Sequence, residues 1–261
     1  MIPKTIHYCW FGRNPLPELA RLCIASWKKY CPGYEIIRWD EDNFALSACP
    51  EYVRQAYEAK KWSFVTDYVR LKVVYDHGGI YMDTDVELTK PLDKFLPHRA
   101  YFGFEDGTFI ATGLGFGAEM GLPLLKEMMA DYETISFLQP DGSFDHIPCP
   151  KRNTQCLLKY GLKQNNSRQL LEGDILILPS DYFCPKSYET GLLTKTRNTH
   201  SIHHYDASWF SAEQQGRKHQ RWQEQSRGLH YWTHLPLRLL QKLLGMELYL
   251  KLRTFLRPEH R

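Results

Sequence analysis

The sequence predicts an α/β fold with a mostly parallel sheet flanked by helices, and three observations carry that expectation. Strand-like apolar and aromatic runs alternate with helix-length amphipathic segments from Thr5 to Leu88, an order that yields parallel strands under right-handed crossovers. The 261 residues are 43% hydrophobic and 24% charged, ordinary proportions for one large globular domain. Asp83 and Asp85 follow a short apolar run, and open α/β sheets bind ligands in the crevice outside strand carboxyl ends.

The elements are justified in order. Thr5–Phe11 reads as the opening strand, closed by Gly12 and Asn14-Pro15. Pro17–Tyr30 places Leu19, Leu22, Cys23, Ser26 and Trp27 near one helical face, with proline in the first turn and Cys31-Pro32-Gly33 as the stop. Tyr34–Trp39 is the second strand. Asp40-Glu41-Asp42 precedes Asn43-Phe44 and reads as a turn or helix cap, although it repeats the Asp-x-Asp spacing. A helix over Glu51–Lys60 leads to a second one starting at Trp62, where Asp67 and Arg70 share a face. His77-Gly78-Gly79 ends that helix, glycine adopting the left-handed cap without penalty. Ile80-Tyr81-Met82 is a short buried strand. In an extended chain residues i and i+2 point the same way, so Asp83 and Asp85 face one point. Two hard oxygen ligands suit Mg²⁺ or Mn²⁺, with a substrate phosphate completing the shell.

Farther on, Ala100–Phe104 and Phe109–Ala111 read as strands, Leu122–Tyr132 as a helix and Ser136–Lys151 as a Pro/Gly/Asp-rich loop. Thr154–Tyr160 reads as a short helix and Asp174–Leu178 as a buried strand. The glycines of Thr112–Gly117 either bring backbone close to substrate or form a plain bend. The seven cysteines form no CxxC and no zinc-like spacing, so they read as reduced core thiols. No apolar run approaches the ~20 residues that span a bilayer. Met1-Ile2-Pro3-Lys4 runs straight into a strand, and the setting expected from that start is a bacterial cytoplasm.

The central segment resembles the DXD-motif sugar transferases of glycosyltransferase family 32, which are related to the catalytic domains of clostridial glucosylating toxins. Their pattern is S-D-x-x-R on a helix followed by G-G-x-Y-x-D-x-D. This chain reads Thr66-Asp67-x-x-Arg70 and Gly78-Gly79-x-Tyr81-x-Asp83-x-Asp85, departing only at Thr66. The opening Ile2-Pro3-Lys4-x-Ile6-His7-x-x-Trp10 and the late His203-His204-Tyr205-x-Ala207-Ser208-Trp209 are similar to the family too. The resemblance implies a GT-A-like, Rossmann-like nucleotide-diphospho-sugar transferase fold. It divides the chain into a catalytic domain over residues 1–210, with a nucleotide-sugar and metal half over 1–110 and an acceptor half over 111–210. Residues 211–261 form a basic, helical C-terminal extension.

The resemblance also assigns roles. Asp67, Arg70, Asp83 and Asp85 are the catalytic set. Trp10, Asp67, Arg70, Tyr81, Asp83, Ser208 and Trp209 contact the nucleotide sugar, with Trp10 stacking on the base. From its residue type alone, Trp10 fits equally a buried core aromatic. Asp83 and Asp85 hold Mn²⁺ or Mg²⁺, joined by His203 or His204. The implied reaction is metal-dependent transfer of a hexose, with retention, from a UDP- or GDP-linked donor to a glycan or lipid-linked glycan, in surface or capsular polysaccharide synthesis. The residues leave two other readings open: another metal-phosphate enzyme such as a nucleotidyltransferase or phosphohydrolase, and a non-catalytic glycan-binding module. No Ser/His/Asp triad, P-loop or nucleic-acid motif competes. Charge is uneven, since Arg217–Arg261 carries ten Lys/Arg against three Glu. Such a tail suits peripheral contact with an anionic membrane face, or packing on the body or a partner.

Overall fold

Strand β1 (Thr5–Cys9) is buried from its second residue onward and lies between β2 and β3, next to one edge of the main sheet of a computed structural model. The structure describes residues 1–206, together with 213, 216, 217, 220 and 222–224. The remaining strands are β2 (Glu35–Trp39), β3 (Gly79–Tyr81), β4 (Val86–Leu88), β5 (Ala100–Phe104), β6 (Ile110–Ala111), β7 (Phe116–Ala118), β8 (Gln169–Leu171), β9 (Ile175–Leu178) and β10 (Ser201–His203). The helices are α1 (Glu18–Tyr30), α2 (Glu51–Glu58), α3 (Trp62–His77), α4 (Pro123–Glu133), α5 (Cys149–Leu158) and α6 (Ser180–Phe183).

The main sheet runs β2-β1-β3-β7-β5-β9-β8, with β6 added on β5. β1 pairs in parallel with β2 and β3, and β5 with β9. β7 opposes both β3 and β5, while β6 and β8 oppose their neighbours. Five strands therefore share a direction, as a mostly parallel α/β sheet requires. The links β5–β6 and β8–β9 are far shorter than the dozen or so residues that a parallel crossover needs, so each pair folds back antiparallel, and β7 keeps the direction of β6. A separate two-stranded ribbon pairs β10 with β4, setting His203 opposite Val86.

α3 is buried along most of its length, with Val65, Val69, Leu71, Val73 and Val74 closed off from solvent. That accounts for its nearly continuous apolar run, because a helix covered on all sides has no polar face to show. It ends at Gly78, with φ 65° and ψ −173°. This is positive φ with an extended ψ, not the left-handed cap expected, and it turns the chain directly into β3. A Cβ there would lie 2.9 Å from Met120 N and from the Pro3 ring.

Another segment departs from expectation. Ser136–Lys151 is not loop throughout, since α5 begins at Cys149 with Pro148 as its N-cap and Pro150 in its first turn. Proline in a first helical turn costs nothing, because its missing N–H would have no intrahelical partner. All seven cysteines are free and buried, as core thiols should be.

The chain divides into two units. One comprises Met1–Ser187 and Leu193–Trp209, and the other Tyr188–Leu192 and Phe210–Arg261. Within the second, the Trp222 indole donates to Tyr188 O at 2.7 Å. No helix among the described residues is long and apolar enough to cross a membrane.

Candidate active site

β1, β3 and β5 deliver their carboxyl ends to one edge of the sheet, and the side chains singled out by the motifs gather there. Asp67 and Arg70 both lie on the buried face of α3, at 7% and 4% exposure. The Arg70 guanidinium lies 3.2 Å from Asp67 and 3.3 Å from Asp83, and sits 5.1 Å over the Tyr81 ring. Its Nε donates to Thr66 O at 3.0 Å and its Nη2 to Thr66 Oγ1 at 3.1 Å. Threonine in the serine position of the motif thus orients the arginine. Tyr81, expected to touch the nucleotide sugar, is fully buried and donates its hydroxyl to Asp83 at 3.0 Å, so it reaches the site through that carboxylate.

Asp83 and Asp85 converge by a different route from the one expected. Met82–Asp85 is not extended; Val86 N donates to Asp83 O at 3.1 Å, closing a turn. The turn aims both carboxylates at one point, which alternation along a strand is not needed to explain. β4, just beyond, is anchored from two sides. The buried Trp27 indole donates to Val86 O at 2.7 Å, and Leu88 N donates to Ser26 Oγ at 2.8 Å. On its other flank β10 brings in the histidine.

Asp83, Asp85 and His203 offer ligand atoms that lie within 4.8 Å of one another. His203 Nε2 is 3.3 Å from Asp85 Oδ1, whereas His204 turns its Nε2 to Glu87 at 2.9 Å. The ribbon decides between the two histidines: His203 ends β10 paired with Val86, while His204 lies just past the strand with its ring on Glu87. Asp206 N donates to Asp85 Oδ2 at 2.8 Å. Two carboxylate oxygens and an imidazole nitrogen, one carboxylate half-exposed, fit a divalent cation with coordination positions left open.

The electrostatics follow from burial set against charge. Burial alone would raise Asp85, but the His203 imidazolium and the Asp206 amide hold it at about 2. Burial would likewise discharge His203, and Asp85 instead lifts its pKa well above the usual histidine range. In the metal-free protein a proton on His203 therefore balances Asp85, and a bound cation takes the place of that proton. Asp67 is raised, because burial outweighs the attraction of Arg70. Arg70 stays charged, since Asp83, Tyr81 and Asp67 overcome its desolvation.

Two contributors were not singled out by their sequence. A Cβ added at Gly113 would fall 2.1 Å from Asp83 Oδ2 and 3.0 Å from Arg70 Nη1. Asp83 N also donates to Gly113 O at 3.0 Å. The glycine-rich turn brings its backbone against Asp83, a side-chain approach that neither reading of its glycines specified. The second is Cys149, the first residue of α5. Its thiol lies 4.0 Å from Arg70 Nη1 and hydrogen-bonds Asp67. A cysteine without a motif gave no signal.

Trp10 stands just past β1 at the same sheet edge. It is half-buried, its N–H extends the ladder to Trp39 O at 2.9 Å, and its indole donates to Asn14 O at 2.6 Å. Ser208, Trp209 and most of the basic extension lie outside the described residues.

Two carboxylates and a histidine that could hold a cation thus lie beside a buried arginine at the carboxyl edge of an α/β sheet, the edge where such sheets bind ligands. In comparison with known proteins, residues 17–102 match the family described as the glycosyltransferase sugar-binding region containing DXD motif. The chain is 28% identical over 140 residues to inositol phosphoceramide mannosyltransferase 3 of Schizosaccharomyces pombe, covering 52% of this chain and 38% of that protein. It is 33% identical over 107 residues to an uncharacterized glycosyltransferase of Acanthamoeba polyphaga mimivirus, covering 39% and 43%. The chain thus spans less than half the length of these relatives. Among solved structures it resembles the PaToxG glycosyltransferase, with TM-score 0.45 and 20% identity over 60% of this chain and 68% of that one.

Proposed function

We propose that the protein is a metal-dependent glycosyltransferase that moves a hexose, with retention, from a nucleoside-diphosphate sugar to a glycan acceptor. The observation that carries this reading is the Asp83–Asp85–His203 cluster with Arg70 3.3 Å from Asp83. Transfer breaks the bond between the anomeric carbon and a phosphate oxygen, and the electron pair leaves with the diphosphate. A divalent cation held by Asp83, Asp85 and His203 supplies Lewis-acid neutralisation of that charge.

The rest falls to side chains. Arg70 Nη1, whose contact here is the thiol at 4.0 Å, is the guanidinium nitrogen left to meet a phosphate or sugar oxygen. Asp67 accepts from donor-sugar hydroxyls while Arg70 and Cys149 fix its orientation. Trp10 shelves the base, and Ser208 and Trp209 approach the phosphates. Retention means that the acceptor oxygen bonds to the face the phosphate leaves, with the acceptor's proton passing to the departing phosphate oxygen. The acceptor in this proposal is a surface or capsular glycan, lipid-linked during assembly on the inner face of a membrane.

A panel of UDP- and GDP-linked sugars with Mn²⁺, read by hydrolysis and by thermal shift, tests the reading. GDP-mannose belongs in it because the fission-yeast relative is named a mannosyltransferase. One donor is hydrolysed and stabilises the protein, and D83A and D85A each abolish both signals. Nucleotide turnover indifferent to the sugar identifies a phosphohydrolase instead. Silence across the whole panel defeats the proposal.

A further inference from the structure

The acidic triplet Asp40-Glu41-Asp42 lies far from the metal cluster in sequence, yet two of its carboxylates reach the loop beside Trp10, Glu41 at Gly12 and Asp42 at Arg13. Glu41 Oε1 accepts from Gly12 N at 2.6 Å and from the Tyr57 hydroxyl at 3.1 Å. Gly12 (φ 91°) and Arg13 (φ 58°) are consecutive positive-φ residues, so the loop after β1 bends sharply; glycine takes its place without penalty, whereas Arg13 sits in a conformation its side chain disfavours. Trp62 closes the bend from the other side, for a Cβ on Gly12 would lie 2.8 Å from its ring. Tyr57 packs edge-on against Trp62 at 5.3 Å. Phe11 is buried and meets Phe44 at 6.3 Å, which pins the inner side of the loop. Asp40 holds a local turn with Asp42 N at 2.9 Å, while Asp42 makes a solvent-exposed ion pair with Arg13 of the same loop at 2.8 Å, the weaker of the two holds on it.

We infer that Glu41 is a positioning residue for the nucleotide base: with Gly12, Tyr57 and Trp62 it clasps the loop that presents Trp10. The inference rests on the proposed function for what Trp10 meets, and on contacts alone for the clasp. Trp62 is also the first residue of α3, whose following turns, roughly the next two, carry Asp67 and Arg70. The clasp therefore ties the surface offered to the base to the helix offered to the sugar and phosphates, so that both ends of an extended donor meet parts already in register. A charged acceptor shared by a backbone amide and a phenol is a strong bond to lose, and the bend at Gly12 and Arg13 relaxes without it.

Full-length protein labelled with 5-fluorotryptophan gives a direct readout, the Trp10 resonance being assigned by its loss in W10F. In E41A that resonance shifts and broadens with no nucleotide present, while E41Q, which keeps a carbonyl acceptor, restores it. Calorimetry with UDP and with GDP, each with Mn²⁺, supplies the second readout. E41A weakens the nucleotide that binds by about tenfold, leaves Mn²⁺ affinity unchanged, and adds less than twofold in a W10A background. An unchanged Trp10 resonance in E41A overturns the clasp, as does an E41A loss undiminished in W10A. If the wild type binds neither nucleotide, the functional reading fails, and the resonance alone still decides the clasp.

Discussion

Substituting Gly113 by alanine tests the close packing of the site through a single methyl group. Gly113 has no positive φ, so the backbone accepts alanine, and the effect comes wholly from the space the new Cβ enters. That atom would sit 2.1 Å from Asp83 Oδ2, whereas real Cβ contacts essentially never fall under 3.0 Å. The carboxylate must therefore retreat by about 0.9 Å or more, the difference between those distances. Arg70 Nη1, 3.0 Å from the same point, narrows the way out. Retreat lengthens the bonds from Tyr81 at 3.0 Å and Arg70 at 3.3 Å, and it turns one of three ligands off the cation. The expected result is a 10- to 100-fold loss of Mn²⁺ affinity, roughly what a misdirected ligand costs, with overpacking lowering stability by about 1–3 kcal/mol. Calorimetry with Mn²⁺ and urea unfolding measure the two. G107A, whose methyl meets nothing within 4 Å, is the control and behaves as wild type. Mn²⁺ binding by G113A within twofold of wild type would show that the turn does not press on Asp83, and would refute the reasoning.

Three further outcomes are expected. R70L strands Asp67 and Asp83 without their shared cation and costs about 3–5 kcal/mol in urea unfolding, the range for half of a buried ion pair. H203A reduces Mn²⁺ affinity on the order of a hundredfold, while H204A, which breaks only the pair with half-exposed Glu87, stays within about threefold. His7 is wedged between the Trp39 indole, which donates to its Nδ1 at 3.1 Å, and Gly78 O, 2.8 Å from its Nε2. Burial, against the bond to Gly78, lowers its pKa from 6.5 to about 4. The native state thus holds the neutral ring, so its contribution is complete above pH 6.5 and is lost as pH falls toward 4. Between pH 6.5 and 5 the loss comes to about 2 kcal/mol. Unfolding of wild type against H7Q at pH 7, 6 and 5 checks this, and a constant gap between the two curves contradicts it.

Much of the site was legible because its parts are close in sequence. Asp67, Arg70, Asp83 and Asp85 fall within one helix, one glycine pair and one short strand, and local periodicity places them at a strand's carboxyl end. What escaped depends on distant packing. Gly113 matters through the space it leaves for Asp83, and Cys149 through a helix that starts on prolines and so reads as loop. The choice between His203 and His204 waited on a pairing of β10 with β4 that no local pattern encodes. The expected alternation of Asp83 and Asp85 gave way to a turn, since three residues of strand could not carry it through.

The β10–β4 ribbon has a consequence for the order in which the molecule matures. Two cation ligands leave the ribosome early, inside the first strands and helices, but the third is made more than a hundred residues later. Nascent chains assemble from the amino end, so the large sheet can gather while that imidazole is still unmade. Charge neutralisation at Asp85 then arrives only with the last described strand. A chain cut short before Ser201 keeps Asp83 and Asp85 but lacks His203, the third side chain of the cluster.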